Sequence, residues 1–120
     1  MRRLNQQLAD VKGLFDKNLI CVATTVQTVT TAAKIAPPTG MALSDFQYIL
    51  VQVDEAAATL TVPLIRYTED GTTPTNTIGK KMSDGESFDV IGTQNIAKLQ
   101  VIKTTAAAAA TVVLQISFYK

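Results

Sequence analysis

The chain has 120 residues, with 11 Lys and Arg against 10 Asp and Glu and a net charge of +1. That is one ordinary domain, long enough to bury a real core, and its charge balance gives no electrostatic case for nucleic acid or an anionic membrane. Histidine is absent and Cys21 is the single cysteine, which removes Ser-His-Asp and Cys-His catalysis and a structural zinc site.

Charged residues make up 18 % of the chain, below the roughly 25 % of a typical soluble domain. Either a partner covers part of the surface, or a Thr-rich sandwich surface is simply poor in charge. Hydrophobic residues reach 47 % with aromatics at 6 %, so the weight rests on Ala, Val, Ile, Leu and Thr, a palette suited to sheets. Cys21 lies in the apolar run Leu19–Ala23 and is expected as a buried thiol. Without a disulfide framework nothing points to an oxidising compartment. The start Met1-Arg2-Arg3-Leu4 has no apolar segment behind it, so a signal peptide is not expected. No apolar run approaches the roughly 20 residues of a membrane helix.

Residues 2–16 are the one helix-like stretch. Leu4, Leu8, Val11 and Phe15 fall on one helical stripe, and Gly13 weakens its second half. A helix this short needs a surface. It either packs on its own sandwich or docks on a neighbouring subunit as an arm. The expected division is therefore an amphipathic arm over 1–18 and a β-sandwich over 19–120.

Leu19–Thr31 is expected as a long first strand, with Ile20, Val22, Thr24 and Val26 on one face and Val29 on the other. A bulge or break near Thr25–Thr28 would reconcile the two. Pro37, Pro38 and Gly40 make Ala32–Ala42 a loop. Asp45–Asp54 is the next strand, with Phe46, Tyr48 and Leu50 facing one way and Ile49, Val51 and Val53 the other. Two apolar faces suggest a central strand, or one whose second face meets the helix or a partner.

Thr59–Tyr67 returns, with Pro63 at an edge or a bulge. Thr68–Thr77 is a polar loop with room for a short strand near Thr75–Ile78, and Gly79–Glu86 is rich in turns. Ser87–Ile91 is a strand with Phe88 and Val90 inward. Gly92–Asn95 turns, Ala97–Lys103 is a strand, and Thr104–Ala110 is read as a small-residue hairpin loop. The clearest strand is Thr111–Lys120. Val112, Leu114, Ile116 and Phe118 share one side, and Val113, Gln115, Ser117 and Tyr119 the other, uncharged, side. Seven or eight short strands separated by turn signals predict an all-β, antiparallel sandwich or barrel.

No catalytic, cofactor-binding or metal-ligating set emerges, and an enzyme is not expected. The glycines lack phosphate-loop spacing. Asp84 and Glu86 sit in a turn, where acids are the default. After Asp89 there is no acid, and the nearly uncharged stretch is either the centre of the sandwich or a self-association face.

GESFDV, NIAKLQVIK and TVVLQISFYK, joined by short small-residue connections, are similar in strand cadence to the jelly-roll-like β-sandwich domains of tailed-bacteriophage virion proteins, notably capsid decoration (cement) proteins. The likeness covers Asp84–Lys120, about a third of the chain. It implies a structural protein on the capsid exterior, a dimer or trimer, whose partner is the major capsid protein. It implies no cofactor and no contact with nucleic acid or membrane. In that reading Leu4, Leu8, Val11, Phe15, Val113 and Tyr119 are the interface candidates. The alternative is a carbohydrate- or receptor-binding module of a phage tail, fibre or baseplate. Such a module would offer Tyr48, Tyr67 or Tyr119 to a sugar.

Overall fold

The computed structural model describes residues 19–30, 33–55, 63–108 and 110–120. The expected arm over 1–18, with Leu4, Leu8, Val11 and Phe15, lies outside them, as does most of the strand expected from Thr59.

Among the described residues eight strands form two four-stranded antiparallel sheets. They are β1 (Cys21–Thr28), β2 (Ala33–Lys34), β3 (Tyr48–Glu55), β4 (Ile65–Thr68), β5 (Lys80–Met82), β6 (Ser87–Ile91), β7 (Gln100–Lys103) and β8 (Val112–Tyr119). Sheet one runs β1-β8-β3-β6 and sheet two β2-β7-β4-β5. The first strand pairs with the last, the second with the seventh, the third with the sixth and the fourth with the fifth. A chain doubled into one long hairpin and then rolled has this nesting, and it is the strand order of a jelly roll. Pairings β3–β8 and β4–β7 close the two sheets across the fold.

The core lies between the sheets. Val112, Leu114, Ile116 and Phe118 of β8 are fully buried there, beside Ile49, Val51 and Val53 of β3. β3 is central in its sheet; its inward residues meet the core, and Tyr48 and Leu50 on the other face pack with Leu19 and Tyr119. Phe46 packs on Phe118 with ring centroids 4.8 Å apart. Tyr67 of sheet two stacks on Phe88 of sheet one, ties the sheets together and belongs to the core.

Several expectations are corrected. The bulge of β1 falls between Cys21 and Ala23, so Val22 is the extra residue. The shift leaves Val26 outside the core, 62 % exposed, and Cys21 exposed as well. The loop expected over Ala32–Ala42 contains β2, and the connection expected over Gly79–Glu86 contains β5. The strand expected from Ala97 begins at Gln100. Before it comes a short helix, α1 (Thr93–Lys98), entered at Gly92, whose φ is 96°. Ile96 and Leu99, three apart, are both buried, which is helical and not strand spacing. β7 and β8 stand in different sheets, so Thr104–Ala110 is no hairpin. It crosses between the sheets, with a 3-10 turn over Thr105–Ala107 and the Lys103 Nζ donating to the Ala110 carbonyl at 3.0 Å.

Candidate interaction face

The outer face of sheet one is the site that the strands assemble. Strand alternation sends every second side chain of β8 away from the core, and the register lines these up with neighbours on β1, β3 and β6. Cys21, Tyr119, Tyr48 and Ile91 form the first row. Thr24, Ser117, Leu50 and Asp89 form the next, then Val26, Gln115, Gln52 and Ser87, then Thr28, Val113 and Asp54. Val113 and Tyr119, expected on one face, do share it. They are six residues apart, so about 20 Å separates them along the strand.

The two ends of this face differ. At the Tyr119 end, Leu19, Tyr48, Leu50 and Tyr119 make a buried cluster separate from the core. The Tyr48 and Tyr119 rings sit 5.5 Å apart at 59°. The Tyr48 hydroxyl donates to Asp89 Oδ2 at 2.9 Å, which satisfies its one polar atom. Burial pushes the Tyr119 phenol above its ordinary value of 10.0, and the neighbouring Cys21 adds to the shift. At the other end Val113, Gln115 and Gln52 are half-buried and uncharged. Asp54 and Asp89 are the only ionisable carboxylates in the four rows. Sequence alternation marked the β8 column of this face. It carried no signal that Tyr48 and Leu50 stand beside it, because neighbour order in a sheet is a long-range property.

All three tyrosines are buried. Tyr67 lies under Phe88 with the Lys80 Nζ 5.9 Å from its ring centroid. No tyrosine therefore presents an open ring to a sugar.

The turn acids serve the backbone. Asp84 Oδ1 accepts from the Glu55 N–H at 2.8 Å, and Glu86 Oε1 accepts from the Ser83 N–H at 2.7 Å. Among the described residues no three acidic or cysteine side chains gather as a metal would need. A cleft of about 420 Å³ lies along Tyr67–Asp70, Gly79 and Lys80. A second, of about 350 Å³, holds Arg66 and Lys81 near Thr104. The Arg66 guanidinium donates to the Gly79 carbonyl at 2.7 Å, which spends it on structure.

The chain matches no protein-family model, no curated protein and no solved structure.

Proposed function

We propose that this protein is a non-enzymatic structural component of a virus particle, a decoration protein that binds and stabilises an assembled phage capsid. The observation that carries the reading is the outer column of β8, where Val113, Gln115 and Ser117 are half-buried and uncharged. The jelly-roll strand order supports it, because viral capsid domains are one of the classes that use this roll. Lectins use it too, so fold alone does not choose. What favours the capsid reading is the burial of the three tyrosines, which leaves a sugar no tyrosine ring to stack on. In this reading the major capsid protein covers the face on the shell exterior. A protein that binds only the assembled lattice stabilises it by mass action, and symmetric copies add through multivalency.

The test is co-sedimentation with assembled capsids. Val113→Lys and Ser117→Glu place charge on the face without touching the core. They are expected to abolish binding and leave the melting temperature unchanged. Retained binding by both would overturn the role of the face. Deleting Met1–Asn18 tests the arm separately. A glycan array with specific, saturable binding would favour the carbohydrate-binding alternative.

A further inference from the structure

β1 is an edge strand, and among the described residues its backbone pairs only with β8. The hydrogen bonds show which of its groups face outward. The Val29 N–H donates to the Val112 carbonyl at 2.9 Å, making Val29 and Val112 a bonded pair. Bonded and non-bonded pairs alternate along an antiparallel ladder. Counting back along the register, Gln27 and Thr25 bond to β8, whereas Thr28, Val26 and Thr24 turn their N–H and C=O away from it, toward the open edge. The side chains of these same three residues are exposed.

Natural edges are guarded by charge, proline, bulges or a cover. Cys21–Thr28 has no charge and no proline, and its bulge at Val22 lies before the open stretch. Exposed apolar side chains concentrate here too: Ile20 and Val26 are each 62 % exposed and Val22 is 36 %.

We infer that β1 pairs antiparallel with β1 of a second copy, joining two copies of sheet one into a continuous eight-stranded sheet. A row of backbone groups with no partner among the described residues fits another strand and little else, and this strand is complementary to itself. A two-fold axis at Val26 sets Val26 opposite its own copy and Thr24 opposite Thr28. All of these residues turn their backbone groups outward, so each pair exchanges both hydrogen bonds. Thr–Thr and β-branched cross-strand pairs are favourable, and no like charges meet across the axis. The interface is isologous and closes at two copies.

The inference stands on the edge itself and not on shell binding. A dimer that ignores capsids would sink only the proposed function, and a monomer that binds them would sink only the dimer.

The experiment uses the full chain. Light scattering over a concentration series is expected to show a dimer, and Val26→Lys, at a solvent-exposed site, is expected to abolish it while circular dichroism shows the fold kept. In a Cys21→Ser background, Val26→Cys is expected to form an interchain disulfide on mild oxidation, because bonded antiparallel pairs hold their Cα atoms about 5.5 Å apart, within disulfide reach. Thr24→Cys faces Thr28 of the copy and is expected not to cross-link. A wild-type monomer or trimer throughout the series overturns the inference. So does a dimer that survives Val26→Lys, or one in which Val26→Cys fails to cross-link.

Discussion

Tyr67 lies flat on Phe88, with ring centroids 3.9 Å apart and planes 11° from parallel. One ring comes from β4 in sheet two and the other from β6 in sheet one, so the stack rivets the sandwich together. Truncating either ring leaves a cavity between the sheets. Phe88→Ala is expected to cost about 3–5 kcal/mol in denaturant unfolding. Tyr67→Phe keeps the stack and should cost far less. Equal losses for the two variants would show that the hydroxyl, not the stack, matters.

The same tyrosine makes the fold sensitive to alkali. Burial, with the Glu69 and Asp89 carboxylates adding to it, pushes the Tyr67 phenol up to about 12 from its ordinary 10.0. The unfolded chain therefore releases this proton first as pH rises. The contribution to stability is complete below about 10 and is lost between 10 and about 12. Unfolding midpoints measured across that window should fall for the wild type. Tyr67→Phe should flatten the fall, leaving the smaller part owed to Tyr119.

Gly79 is held at a φ of 116°, and a Cβ added there would stand 3.0 Å from the Tyr67 carbonyl oxygen and 3.2 Å from the Arg66 Cβ. Backbone strain and a clash with main chain coincide. Gly79→Ala is expected to destabilise by about 1–3 kcal/mol, read as a lower melting temperature. The Arg66 bond to the Gly79 carbonyl should weaken with it, so Arg66→Ala and Gly79→Ala together should cost less than their sum.

Asp84 holds the turn before β6 by accepting from the Glu55 N–H. Asp84→Ala is expected to cost about 1–3 kcal/mol because that donor loses its partner in a half-buried place. Calcium should neither stabilise the wild type nor rescue the variant. A calcium-dependent rise in melting temperature would show that the turn binds an ion.

What could be read from sequence followed the reach of each signal. β8 and β6 stood out because each keeps strict alternation and its inward residues meet the core. β2 and β5 leave no such mark because two and three residues carry no period; their pairing with β7 and β4 defines them. α1 is masked in the sequence by Gly92 and Asn95, which signal a turn, and only the burial of Ile96 and Leu99 shows the helical spacing. A β-branched run looks the same on a central strand as on an edge, so the apolar run around Cys21 predicts a buried thiol where the structure exposes it. The uncharged column of β8 was legible as a candidate face. That Tyr119 sinks into a cluster with Tyr48 and Leu50 was not, since Tyr48 lies 71 positions away in the chain.

The nested strand order also sets a timetable for biosynthesis. β8 is made after the other seven described strands, yet it sits between β1 and β3 and is the partner of both. Sheet one therefore cannot close while β8 is still inside the ribosome. Until then β1, with no charge to guard it, and the doubly apolar β3 wait with unpaired edges. In that interval premature association is the main hazard for this chain. A nascent chain stalled before Val112 should aggregate or recruit chaperones, whereas one in which β8 has emerged should fold.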